Sequence, residues 1–167
     1  MDKKAVSVMI GYVLLIVGVI VIGGIVYAWL SSYVPRATPE CPDGVSLFVE
    51  SSSCVAVTGG YNLTFSIKNN GRFEVNGYLI KASEQEEQMA TKDISGNIES
   101  GGSSRQGVVS FLVGALSPGQ PSGDMTYSLE DAIHSIEITP IMYETIEGKN
   151  ILISCGDAKV KETITCT

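Results

Sequence analysis

The chain has one histidine, one tryptophan and no charged residue between Lys4 and Arg36. It has no C-x-x-C pair, so the cysteine spacing of a zinc site is missing. Its histidine, His134 in "AIHSIEI", has no second histidine or neighbouring cysteine to complete a ligand set, and reads as a structural or surface residue. Neither a G-x-S-x-G nucleophile context nor a G-x-x-x-x-G-K-[ST] phosphate loop is present. The expectation is a protein that is not an enzyme and uses no metal or cofactor. Basic residues are also scarce: 11 Lys and Arg stand against 18 Asp and Glu, a formal net charge of -7. Setting aside Asp2, Lys3 and Lys4 leaves 9 basic and 17 acidic residues, or -8, with no basic cluster to offset them. Such a chain repels phosphate backbones, and a nucleic-acid partner is not expected. Glu84, Glu86 and Glu87 could face a cation, but a charged loop is the simpler reading.

What the sequence does have is a long apolar start. Val6 to Leu30 is 25 residues without a charge. As a helix it would be about 38 Å long, more than the roughly 30 Å hydrocarbon core of a bilayer. In lipid such a run must satisfy its own backbone, so a helix is the only form open to it. Lys3 and Lys4 place its start in the cytoplasm and the acidic remainder outside, while Tyr27, Trp29 and Tyr33 stand where an aromatic belt is expected. Three fates are open. A secretory signal could be cut after "VYA" (Val26–Ala28), leaving Trp29 first, although this apolar run exceeds the usual 7–15 residues. The helix could remain as a fixed anchor. Or it could be the working part of the molecule.

The third fate follows from a resemblance. "KKAVSVMIGYVLLIVGVIV" resembles the start of archaeal type IV pilins, whose precursors carry a short basic leader removed on the cytoplasmic side. Met1–Ala5 would be that leader, and Ser7-Val8-Met9-Ile10-Gly11 would correspond to the S-P-V-I-G-like motif that follows it. By this likeness a prepilin peptidase cuts between Ala5 and Val6. The chain departs from the family in having Val8 and Met9 where Pro and Val are commoner. It also has Ile10 where bacterial and some archaeal pilins place a Glu. The resemblance implies a homopolymer of identical subunits that leaves the membrane on assembly, with pilus assembly machinery as its other partner. Helical geometry agrees independently. At 100° per residue Ser7, Gly11 and Gly18 fall within about 40° of one another, and Gly24, Ala28 and Ser32 form an adjoining i, i+4, i+8 stripe. In lipid, helices associate by close approach along such small residues.

The remainder reads as one outer domain. Residues 6–34 form the expected helix and 35–44 a Pro-rich linker; residues 45–167 form the expected extracellular domain. "SSYVPRATPECPDG" (Ser31–Gly44) ends any helix. In "GGYNLTFSIKNNG" Tyr61, Leu63, Phe65 and Ile67 alternate with polar residues, the pattern of a half-buried strand. "NNG" would turn it and "RFEVNGYLIKAS" run back, with Asn76-Gly77 a bulge or kink. Further runs, "GVSLFVES", "VVSFLV", "DMTYSL", "SIEITPIMYE", "KNILISC" and "KVKETITC", complete about eight short strands. The expected class is mainly β: a long N-terminal hydrophobic helix followed by an immunoglobulin-like β-sandwich. "TFSIKNNG" and "ALSPGQ" resemble immunoglobulin-like adhesion modules of microbial surfaces, as far as fold goes. Ala82–Gly107 lacks the pattern and reads as a long exposed loop with one helical turn near Glu84–Met89. Cys41, Cys54, Cys155 and Cys166 all follow the helix, an even number that points to disulfides in an exported domain. Three connectivities are open; loop length favours Cys41–Cys54 with Cys155–Cys166. Asn62-Leu63-Thr64 is a candidate N-glycosylation site. The expected function is a pilus-like surface filament subunit serving adhesion, with an anchored binding module or a minor tip component as the alternatives.

Overall fold

In a computed structural model, residues 3–33, 40–86, 89–146 and 148–167 are described. The chain forms two compact units, Met1–Thr38 and Pro39–Thr167. In the first, a single helix α1 (Lys3–Tyr33) runs unbroken through Ala5–Val6. No proline interrupts it, and its Val and Ile residues alternate with Leu, Met and Gly without any polar face. From Met9 onward its side chains are exposed, Gly18 alone being intermediate. A helix apolar on every side belongs in lipid or inside an assembly, and Met9–Tyr33 is long and apolar enough to cross a membrane. Near its end Trp29 stacks on Tyr33 at 5.8 Å, an i, i+4 pair.

The second unit is a two-layer antiparallel β-structure. Its strands are β1 (Leu47–Val57), β2 (Gly60–Asn69), β3 (Gly77–Ser83), β4 (Lys92–Asp93), β5 (Ile98–Ser100), β6 (Gly102–Arg105), β7 (Val108–Phe111), β8 (Pro121–Leu129), β9 (Ser135–Ile146), β10 (Lys149–Ser154) and β11 (Val160–Thr163). One sheet has the order β1-β2-β8-β5; the other runs β10-β9-β3-β7-β6, with β11 also on β9 and β4 also on β3. The alternation along β2 turns Leu63, Phe65 and Ile67 inward, where they are wholly buried with Tyr78 and Ile80 of β3, Met125 and Tyr127 of β8, and Ile136 and Ile138 of β9. Full burial of such a side chain is worth about 1.5–3 kcal/mol. Phe65 stacks on Tyr127 with ring centroids 5.5 Å apart. The Tyr78 hydroxyl lies 2.7 Å from that of Tyr127 and donates to Met125 Sδ at 2.9 Å, so polar atoms in the centre of the core are satisfied.

Both sides of this sandwich are closed, by different means. On one side the chain passes from β5 in the first sheet to β6 in the second through Gly101-Gly102. Gly101 has φ +86°, and a Cβ there would collide with Asp124 O; a glycine permits the sheet-to-sheet corner. On the other side β10 and β11 both lie along β9, opposite β3: Ser154 pairs with Ile141 and Val160 with Ile138. The surplus residues between them form a short turn at Gly156–Ala158. Beyond β11 the chain reaches the edge of the first sheet. Thr167 N–H donates to Cys54 O at 3.1 Å, Ala56 N–H donates to Thr167 O at 2.9 Å, and Cys54 pairs with Cys166 in a parallel bridge.

The disulfides fall on this second side. They join Cys41 to Cys155 and Cys54 to Cys166. The pairing that loop length favours is therefore incorrect: each bond spans over a hundred residues, because the fold lays the β1 edge alongside the end of the chain. Other expectations also change. The strand after "NNG" does not fold back on β2; the chain crosses to the second sheet, and β3 pairs with β9. Gly77 opens that strand where a Cβ would collide with Val109 O. The compact unit begins at Pro39 rather than residue 45, because Cys41 is bonded to Cys155 and Gly44 O accepts from Arg72 N–H at 2.9 Å. The 82–107 stretch is not one loop. It holds β4, β5 and β6, anchored by buried Ile94 and by Ile98 packed on the core. Of the expected turn near Glu84–Met89, residues 87 and 88 lie outside the described residues.

Candidate functional site

The helix carries the residues expected at leader cleavage and helix packing. Ala5, Val6 and Ser7 lie within α1, their side chains outside the described residues; Gly11, Gly24, Ala28 and Ser32 are exposed on it. A Cβ placed on Gly11, Gly18 or Gly24 would meet nothing within 4 Å. The helix itself thus gives no steric reason for glycine, although each costs a water-soluble helix about 1 kcal/mol relative to alanine. Ser32 Oγ–H donates to Trp29 O at 2.8 Å and Ser31 Oγ–H to Ala28 O at 3.0 Å, so neither hydroxyl needs a partner outside the helix.

In the β-unit the four cysteines converge into one seam. The segments 41–54 and 155–166 run side by side and are bonded at both ends, making one covalent ring across the two sheet edges. Cys54 and Cys155 are buried, and Cys155 N–H donates to Pro140 O at 2.9 Å on β9. Disulfides of this kind are characteristic of domains in oxidising surroundings and suggest an extracellular environment for the β-unit. Sequence spacing could not reveal the ring, since spacing measures distance along the chain rather than across a sandwich.

Asn62 sits in mid-strand on β2, paired with Val55 and Ser128 on its two sides. It is half-buried, and the hydroxyl of Thr64 lies 3.3 Å from that of Thr126. The outer face here is rich in hydroxyls, with Ser51 Oγ 2.8 Å from Ser66 Oγ.

The residues weighed for chemistry are occupied by one another. Glu84 pairs with Lys92 at 2.6 Å, Asp131 approaches the same ammonium at 3.4 Å, and Glu86 lies 3.7 Å from His134 Nε2. The bond to Glu84 raises the Lys92 pKa, partial desolvation working the other way. Glu87 lies outside the described residues. Among the described residues no group of three His, Cys, Asp or Glu side chains could hold a metal ion. The most strongly shifted groups are Tyr78 and Tyr127, whose phenols burial pushes above their ordinary value. They are core residues lining no described cavity. No protein-family profile, curated protein or solved structure matches this chain.

Proposed function

We propose that this chain is the structural subunit of a type IV pilus-like surface filament, polymerising through α1 with the β-unit facing outward and serving attachment. One observation carries the reading: α1 is apolar on every side, and its glycines stand in open space. Helix-to-helix contact along Gly11, Gly18, Gly24 and Ala28 would replace lipid contact. The resemblance of the first residues to archaeal pilins adds the processing step, a cut between Ala5 and Val6 by a prepilin peptidase, and makes membrane assembly machinery the transient partner. The precursor then spans the membrane with its N-terminus in the cytoplasm, and the mature subunit ends in the extracellular filament.

The β-unit serves this role as a covalently closed module. Its disulfides suit export, and its acidic surface suits display rather than nucleic-acid contact. A glycan on Asn62 would project from the outer face of the first sheet, and its occupancy would appear as a mass excess that Asn62→Gln removes.

The same helix also meets the length requirement of a fixed anchor, which defines the competing reading: an outer module held in the bilayer that never polymerises. Intact-mass measurement of the mature protein separates the two. A chain starting at Val6 and recovered in filaments is the expected result. A chain retaining Met1–Ala5 and recovered only as dispersed membrane protein would remove the filament reading.

A further inference from the structure

We propose that the disulfide seam is a tension shunt: force arriving from the helix crosses directly from Cys41 to Cys155 beside β9, so that strands β1 to β10 are bypassed and the β-unit can lengthen only by the short segment after Cys155. The argument rests on connectivity and sheet position. A domain tethered through its N-terminal segment is normally loaded at its first strand. Here that strand is β1, at the edge of its sheet, with the rest of its sheet on one side only. An edge strand pulled from one end opens one hydrogen-bonded pair at a time. The Cys41–Cys155 bond stands before β1 in the chain and moves the point of loading. Cys155 is fully buried and bonded through its backbone to β9, a strand with neighbours on both sides.

The second bond repeats the protection from the other end. Cys54 lies within β1 and is tied to Cys166, one residue from the end of the sequence. Between the two ends of the unit, the shortest covalent path therefore runs from Cys41 to Cys155 and on to Thr167, about 12 residues or roughly 40 Å when extended. Without the Cys41–Cys155 bond the path runs from Cys41 to Cys54, across to Cys166 and Thr167. That is about 14 residues, or roughly 50 Å. Without either bond it is about 126 residues, roughly 430 Å. Either bond alone thus limits extension to about a tenth of the unprotected chain. The device serves a surface module of any kind that is held by one helix, so its failure would leave the filament reading standing, and the reverse.

The test is single-molecule stretching of the full chain in detergent, with handles on its two termini. The segment before Cys41 contributes the same step to every arm, because both disulfides join residues at or beyond Cys41. The expected release from the β-unit is no more than about 40 Å for the native chain. Removing one bond by Cys41→Ser with Cys155→Ser should raise it only to about 50 Å, and Cys54→Ser with Cys166→Ser should leave it at about 40 Å. These single-bond variants keep the question open to test even if the chain lacking all four cysteines does not fold. A native release of several hundred ångströms overturns the proposal, as does release of the whole unit from either single-bond variant. Local pairing, Cys41–Cys54 with Cys155–Cys166, would give about 340 Å for the native chain and full release from both variants.

Discussion

The hydroxyls of Tyr78 and Tyr127 meet in the centre of the core, one from each sheet. Tyr78→Phe would leave the Tyr127 hydroxyl buried without its partner, a loss of about 1–3 kcal/mol. Tyr127→Phe leaves Tyr78 its bond to Met125 Sδ and should cost less, about 0.5–1.5 kcal/mol. The double variant should be more stable than Tyr78→Phe alone, since removing both polar groups strands neither. Denaturant unfolding of the three variants measures this directly. A pH dependence follows from the same pair. Both phenols have folded pKa values above the unfolded value near 10, chiefly through burial. Their contribution is complete below about pH 10 and declines above it, by about 1.4 kcal/mol per pH unit for each group. Alkaline unfolding should accordingly move to higher pH in the double variant. One surface residue carries strain: Gln106 has φ 53° in the two-residue Gln106-Gly107 turn joining β6 to β7. That turn calls for two positive φ angles, and Gln106→Asn should add about 0.5–1 kcal/mol, read as a raised denaturation midpoint.

At the scale of elements, the helix and most strands are legible in the sequence because each reports a local property. The 25 uncharged residues need no tertiary information, and the alternation Leu63, Phe65, Ile67 needs only the pleat. What could not be read depends on neighbours distant in sequence. "RFEVNGYLIKAS" looks like the return arm of a hairpin, but Asn69 holds the turn by other means. Its side-chain amide donates to Phe73 O and Leu116 O, its Oδ1 accepts from Gly71 N–H, and the chain is sent across to the second sheet. β4, β5 and β6 are too short and too polar to signal themselves; β4 and β5 form because the longer strands β3 and β8 offer them an edge, and β6 because a two-residue turn folds it against β7. The cysteine pairing was hidden for the same reason. Spacing also says nothing about how the seam contributes to stability. Because Cys54–Cys166 closes the covalent ring that Cys41–Cys155 alone leaves open, removing it with paired serines should lower stability by about 2–5 kcal/mol in thermal unfolding. On the helix, Gly18→Leu with Gly24→Leu should leave the β-unit folded, checked by circular dichroism, and abolish filaments in electron micrographs. Unchanged filaments would show that the glycines have no packing role.

The whole molecule joins two units with opposite demands. One is a helix that cannot lie bare in water; the other is an acidic, doubly stapled sandwich without convergent chemistry among its described residues. The association makes sense if the helix serves to hold and the sandwich to face outward. The candidate packing face was legible as two stripes of small residues, whereas the identity of its partner was not, because lipid and a neighbouring helix present similar apolar surfaces. A photoreactive residue in place of Val21, incorporated in the native host and activated on sheared surface material, tests what surrounds the helix. The expected result is a ladder of covalent multimers of this chain, cross-linked helix to helix. Adducts to lipid alone, with the chain remaining monomeric, would contradict the account.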